Sequence, residues 1–94
     1  MTVRWTKIAV ADLDSAYEYV AADDPAAAQR VIERIEKAVS ILCRHPEAGR
    51  AGRIRGTREL VISGTPFLVS YRFRRDAIQV LAVIHASRKW PTSY

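Results

Sequence analysis

The sequence predicts an α+β fold in which an N-terminal antiparallel helical hairpin packs on a twisted antiparallel sheet. Two observations predict it. The first 43 residues carry two amphipathic helical patterns, and residues 58–85 carry short alternating segments joined by hairpin-sized turns. A chain of 94 residues can bury one modest core. We therefore expect one domain spanning residues 1–94.

The helix boundaries follow from apolar spacing and from turn residues. After a short strand at residues 3–6, apolar side chains recur at helical spacing over residues 8–22. Asp24 and Pro25 predict a second helix, because aspartate caps free amides and proline at the first helical position needs no amide partner. The His-Pro pair at residues 45–46 ends that helix. Its predicted buried stripe is Ala28, Val31, Ile32, Ile35, Val39 and Leu42.

Three strand candidates follow, at residues 58–62, 67–74 and 77–85. Turn residues between them predict an antiparallel meander with two-residue turns. Alternation then places one set of side chains on the face that takes the helices: Leu60, Ile62, Phe67, Val69, Tyr71, Phe73, Ile78, Val80, Ala82 and Ile84. The opposite face, called the outer sheet face below, would carry Glu59, Val61, Leu68, Ser70, Arg72, Gln79, Leu81, Val83 and His85. This half-apolar face suggests that a partner segment covers it.

A glycine-punctuated run of arginines, residues 48–61, leads into the first meander strand and is called the arginine loop below. Arg50, Arg53, Arg55 and Arg58 fall within nine residues. An extended backbone would project Arg53 and Arg55 to one side as a guanidinium pair. The alternative is a solvated connection, but the spacing favours a recognition role.

Charge is distributed unevenly along the chain. The net charge is +5, yet residues 1–43 carry a net −2 and residues 44–94 a net +7. A positive field of this kind attracts nucleic acid, an acidic protein segment or an acidic enzyme surface. The single cysteine, Cys43, rules out an intramolecular disulfide, and no apolar run reaches membrane-spanning length. We expect a cytoplasmic protein that does not enter membranes.

Metal and cofactor chemistry are not indicated by the sequence. His45 lies two residues from Cys43 and His85 is distant, so a metal-ligand set is incomplete and we expect no metal and no cofactor. The glycine series of the arginine loop precedes a strand and lacks the lysine-serine or lysine-threonine ending of a phosphate loop.

An alternative function for the basic half of the chain, residues 44–94, is metal-independent acid–base catalysis on RNA. It would need a proton acceptor, His85 or Glu59, and arginines that hold the phosphate; Arg58, Arg72 and Arg88 supply the residue type. Two observations count against one compact site. Glu59 and Arg72 would lie diagonally across neighbouring strands and pair. The predicted register also separates Arg72 from His85 by about 20 Å.

Several runs in collinear order resemble the RelE/ParE superfamily of toxins from bacterial type II toxin–antitoxin modules. They cover nearly the whole chain. The runs are ADLD at 11–14, YVA at 19–21, DPAAA at 24–28, HP at 45–46, GR at 49–50, GTRELV at 56–61, PFLVSYR at 66–72 and HASRKWP at 85–91.

The resemblance implies a helical hairpin on a twisted antiparallel sheet and a cognate antitoxin whose flexible segment wraps the toxin. It also implies a hetero-oligomeric complex that reaches operator DNA only through the antitoxin. RelE-like members of the superfamily cut mRNA on the ribosome, whereas ParE-like members are not enzymes and poison DNA gyrase. The long helical hairpin is similar to the ParE side, so we expect gyrase inhibition, with a ribosome-dependent mRNA endoribonuclease as the alternative.

Two sets of site residues follow from this reading. If the chain is a nuclease, the candidate catalytic residues are Arg58, Arg72, His85 and Arg88. The candidates for contact with antitoxin or target are Arg50, Arg53, Arg55, Arg58, Leu68, Arg72, Leu81, Val83 and Trp90.

Overall fold

The computed structural model describes residues 1–87, which form two helices and a five-stranded sheet. The elements are β1 (Thr2–Trp5), α1 (Lys7–Ala21), α2 (Pro25–Ile41), β2 (Arg50–Ala51), β3 (Arg58–Val61), β4 (Phe67–Arg74) and β5 (Ala77–His85). Across the sheet the order is β1-β5-β4-β3-β2, with β1 parallel to β5 and the other pairs antiparallel. The α+β fold is confirmed, and the arginine loop contributes the additional edge strand β2.

Both helices begin where a side-chain oxygen satisfies free backbone amides. Thr6 caps α1, since its Oγ1 accepts a hydrogen bond from the Ala9 amide at 3.1 Å. Asp24 caps α2 as predicted, because its Oδ1 accepts from the amides of Ala26 and Ala27, and Pro25 takes the first helical position. The Asp24 cap lies in the short connection between α1 and α2, which folds the helices into a hairpin.

The core lies between the helices and one face of the sheet. The helices contribute Ala9, Ala16, Ile35, Val39 and Leu42 to it, and the sheet contributes Ile62, Phe67, Val69, Tyr71, Ile78, Val80 and Val83. Val3 and Trp5 of β1 pack against the same cluster. Three further buried residues, Leu68, Ala82 and Ile84, form a smaller cluster on the outer sheet face.

A β-bulge between β4 and β5 changes the predicted face assignment. Ser70 pairs with Ala82 whereas Tyr71 pairs with Val80, so Leu81 is an extra residue in β5. The prediction was correct up to Val80 and wrong beyond it. The extra residue moves Val83 and His85 to the helix side, and it moves Ala82 and Ile84 to the outer sheet face.

The bulge is stabilised by helix α1. The Val83 amide donates a 3.0 Å hydrogen bond to Oδ2 of Asp12, and the Thr6 hydroxyl donates to the Leu81 carbonyl at 3.2 Å. Burial raises the pKa of the Asp12 carboxyl, and the hydrogen bond from Val83 partly opposes the rise. The Asp12 side chain of α1 therefore accepts a hydrogen bond from the backbone amide of Val83, which the bulge leaves available.

Residues 1–87 contain neither a membrane-spanning helix nor a cluster of metal-ligating side chains. No helix there is long and apolar enough to cross a membrane. No group of three or more histidine, cysteine, aspartate or glutamate side chains is placed to hold a metal ion in that part of the chain.

Candidate functional site: the arginine loop and the outer sheet face

The arginine loop is attached to the sheet by the buried phenol of Tyr71. Its hydroxyl donates to the Pro46 carbonyl at 2.8 Å and accepts from the Gly49 amide at 2.9 Å. Burial raises the pKa of the Tyr71 hydroxyl, while the Gly49 hydrogen bond and the charge of Arg58 lower it by smaller amounts. A side chain at Gly49 would place its Cβ only 2.7 Å from Cε1 of Tyr71, so only glycine allows this close approach.

Glu59 holds the loop from its other side. This carboxylate is 4% exposed, and it accepts from the Arg53 amide at 2.9 Å and from Nε of Arg50 at 3.3 Å. The same Arg50 guanidinium forms an ion pair with Glu59 through Nη2 at 3.3 Å. The predicted pairing of Glu59 with Arg72 was therefore wrong. The arginine loop folds back along β3 as β2 and brings Arg50 directly opposite Glu59, nearer than any residue of β4 that bears a cation.

Arg58 also stabilises the loop, through hydrogen bonds to backbone carbonyls. Its Nη1 donates to the Gly49 carbonyl at 2.8 Å and to the Glu47 carbonyl at 3.4 Å. The side chain is half-buried, so these backbone carbonyls are its principal partners. Such bonds give Arg58 a positioning role for the loop backbone.

The backbone between the two halves of the loop turns instead of extending. The Thr57 amide donates to the Ile54 carbonyl at 3.1 Å, and the Gly52 amide donates to the Thr57 carbonyl at 2.8 Å. Residues 53–56 are bends and turns, so the extended geometry predicted for Arg53 and Arg55 is wrong. The turn forms because hydrogen bonds to Glu59 and Tyr71 hold the loop backbone against β3 and β4.

On the outer sheet face, Arg72 is fixed by its cross-strand neighbour. Arg72 lies opposite Gln79, and its Nε donates to Oε1 of Gln79 at 2.5 Å. A depression beside this pair is also lined by Arg55 and Leu81. The arginine loop and the centre of the outer sheet face therefore line the same depression.

The apolar members of the predicted contact set that the structure describes are already buried within the chain. Leu68 is 2% exposed, Leu81 6% and Val83 7%, and Val83 lies on the helix side because of the bulge. The exposed members are Arg50, Arg53 and Arg55. Arg88 and Trp90 lie outside the described residues.

His85 is placed apart from Arg72, one of the arginines that the nuclease alternative requires. Its ring packs edge-on against Tyr19 and Phe67, with centroids 5.1 and 5.4 Å away. Its Nδ1 accepts a hydrogen bond from the Ser87 amide at 3.2 Å. Arg72 lies on the opposite face near the other end of β5, so the two groups do not converge.

Sequence reasoning overlooked two residues that build the site. Tyr71 was predicted to be in the core, but its role in holding the loop was not foreseen, and no contact was predicted for Asp12. One signal was present for Tyr71, since a buried tyrosine hydroxyl requires a hydrogen-bond partner. No local signal existed for Asp12, whose partner is 71 residues away in sequence.

Comparison with known proteins identifies the family of this chain. A family model described as "ParE toxin of type II toxin-antitoxin system, parDE" matches residues 3–90. The protein named "Putative toxin Y4kP" from Sinorhizobium fredii is 46% identical over 89 residues, which are 95% of this chain and 92% of that protein. "Toxin RelE2" from Caulobacter vibrioides is 34% identical over 86 residues, 92% and 96% of the two chains.

A solved structure shares the architecture as well. The structure titled "Chromosomal ParDE TA system from P. aeruginosa" superposes with a TM-score of 0.82 at 31% identity, and the match covers 93% of this chain and 97% of that chain. The agreement extends over both helices and the sheet. The chain belongs to the ParE toxin family of type II toxin–antitoxin systems, a membership that implies a cognate antitoxin.

Proposed function

We propose that this toxin binds DNA gyrase, blocks the resealing of cleaved DNA and so arrests growth, and that its antitoxin neutralises it by covering the arginine loop. The observation that favours this function over RNA cleavage is the separation of two of the nuclease candidates, His85 and Arg72. His85 packs against Tyr19 and Phe67 on the helix side, whereas Arg72 lies on the outer sheet face. General acid–base catalysis requires such groups within hydrogen-bond reach of one substrate.

The arginine loop is suited to protein recognition because its backbone is already ordered. Glu59, Tyr71 and Arg58 contribute the hydrogen bonds that hold it. The Arg50 side chain remains 60% exposed despite its ion pair, and Arg55 is exposed beside it. An ordered loop that presents cations loses little conformational entropy when an acidic surface binds.

The proposal is tested by a gyrase supercoiling assay with the purified chain and a charge-reversal variant. The wild-type chain should inhibit supercoiling, and Arg55→Glu should raise the half-maximal inhibitory concentration about tenfold, corresponding to roughly 1.4 kcal/mol of lost binding. Arg55 is suitable because no hydrogen bond within residues 1–87 depends on its side chain. Arg30→Glu on the exposed side of α2 changes the net charge equally and should leave inhibition unchanged.

Absence of inhibition by the wild-type chain at micromolar excess would refute the gyrase target. Equal weakening by Arg55→Glu and Arg30→Glu would instead refute the assignment of the contact to the arginine loop. Where the wild-type chain inhibits supercoiling, added antitoxin should restore it, because the antitoxin removes free toxin.

A ribosome-dependent mRNA endoribonuclease is the second candidate, favoured by the name of the Caulobacter vibrioides relative, "Toxin RelE2". Mapping of mRNA ends after induction distinguishes the two functions. Intact transcripts during growth arrest support the gyrase target, and new ends within translated codons support the nuclease.

A further inference from the structure

Four arginines gather on the outer sheet face beside the turn between β4 and β5. Arg4, Arg72, Arg74 and Arg75 line an open depression of about 440 Å³, together with Ala77 and Gln79. Within residues 1–87 none of the four arginines forms an ion pair. The depression is therefore a concentrated positive site, because the one carboxylate of the adjoining turn, Asp76, forms no ion pair with these arginines among the described residues.

Strand pairing sets the spacing of these cations. Arg4 and Arg72 both pair with Gln79, one from each side of β5, so they stand in one row across three strands. At roughly 4.8 Å per strand the row is about 10 Å wide. Arg74 follows Arg72 on the same face, about 7 Å along β4. Arg4 points to this face because its neighbours Val3 and Trp5 pack in the core.

Two features keep the site ordered without neutralising it. The bond from Nε of Arg72 to Gln79 fixes that side chain and leaves its terminal amino groups available. Arg75 has a φ of 53° and Asp76 a φ of 57°, the geometry of a two-residue turn that favours glycine or asparagine. Arg75 thus adopts a left-handed backbone conformation that disfavours a bulky side chain, and such strain clusters at ligand-binding sites.

We propose that this arginine site binds the phosphodiester backbone of double-stranded nucleic acid. Guanidinium groups match phosphate oxygens with paired hydrogen bonds, and a bound polyanion removes the repulsion among the four cations. Among its described residues the lining includes no aromatic side chain on which an unpaired base could stack. It also lacks the large apolar anchor that the core of a protein interface provides.

This inference does not depend on the proposed gyrase target, because it concerns direct contact between the toxin and nucleic acid. It departs from the expectation that the complex reaches operator DNA only through the antitoxin. The test measures binding of the full chain to a fluorescein-labelled 20-base-pair DNA duplex by anisotropy across a salt series. The variant is the double substitution Arg4→Ala with Arg74→Ala, which leaves every hydrogen bond of the described residues in place. The matched control, Arg30→Ala with Arg44→Ala, removes two exposed arginines elsewhere.

Four phosphate contacts predict a slope of log affinity against log salt of about −3.6, and removal of two contacts predicts about −1.8. We expect the variant to bind about tenfold more weakly than the control at 50 mM salt. Thermal unfolding at the wild-type temperature would confirm that the variant is folded.

Three results would overturn the site. The first is an unchanged slope in the variant. The second is equal loss in variant and control, which would reflect net charge alone. The third is tighter binding of a single strand of the same length, or displacement of the duplex by an equally charged polyglutamate peptide, which would assign the arginines to another ligand.

Discussion

At the scale of the residue, a few buried polar groups decide whether the arginine loop exists as an ordered surface. Tyr71 and Glu59 are both almost fully buried, and each satisfies backbone amides of the loop. The observed contacts of Glu59 differ from the proton-acceptor role that its residue type suggested. A carboxylate in a basic chain suggested a proton acceptor, but its oxygens are occupied by the Arg53 amide and the Arg50 guanidinium.

Removal of the Tyr71 hydroxyl should destabilise the fold and loosen the loop. Tyr71→Phe leaves the Pro46 carbonyl and the Gly49 amide without their partner, at a cost of about 1–3 kcal/mol. Chemical denaturation measures this loss, and hydrogen exchange should show faster exchange of the Gly49 amide. The control is Tyr17→Phe on the exposed side of α1, expected to change stability by less than about 0.5 kcal/mol. Equal stability of the two variants would contradict the role assigned to Tyr71.

The buried polar side chain of Ser70 contrasts with the hydrogen-bonded side chains of Tyr71 and Glu59. Its hydroxyl is buried between β3 and β5 with no hydrogen-bond partner in the described part of the chain. A buried unsatisfied hydroxyl costs stability.

At the scale of the element, the bulge in β5 links strand and helix. It shifts Val83 into the core and directs its amide to Asp12 of α1. Without the extra residue Leu81, the end of the strand would present the opposite side chains to the helices. The bulge therefore determines which residues near His85 face the hairpin.

The Asp12 contact should give the fold a measurable pH dependence. Burial raises the pKa of Asp12 in the folded chain above its ordinary value, so the folded state binds the proton more readily than the unfolded state. Its contribution is complete below the unfolded pKa and is lost as pH rises through the folded pKa. The unfolding free energy of the wild type minus that of Asp12→Asn should therefore increase as pH falls from 7 to 4. Urea denaturation at each pH tests this, and a difference that shrinks over that range would contradict it.

At the scale of the whole molecule, charge is segregated between the two layers. The helical half carries a net −2 and residues 44–94 a net +7, which places most positive charge on the loop and sheet. Opposite fields accelerate encounter between proteins, and salt screens them. The segregation favours an acidic partner on the sheet side.

If the antitoxin segment is acidic, its association with this toxin should be steeply salt-dependent. We expect the association rate constant to fall about tenfold or more between 50 and 500 mM salt, with a smaller change in the dissociation rate. Stopped-flow mixing of toxin and antitoxin gives both constants. A rate constant that is independent of salt would show that the basic half does not steer the encounter.

The sequence by itself determined the local elements. Helical spacing located both helices, Asp24 and Pro25 marked the start of α2, and the β4 and β5 boundaries were predicted as observed. These features depend on neighbouring residues, whose spacing and capping chemistry can be read directly. The collinear resemblance also identified the superfamily, which the family match confirmed.

Only the tertiary structure decided the contacts between distant segments. Residues 80–84 of β5 are all apolar, so alternation could not choose a face and the bulge left no trace in the pattern. The parallel pairing of β1 with β5 and the approach of Arg50 to Glu59 depend on chain paths that bring separated residues together. The physical reason is that hydrogen bonds and burial reward three-dimensional proximity, whereas sequence patterns report only local conformational preference.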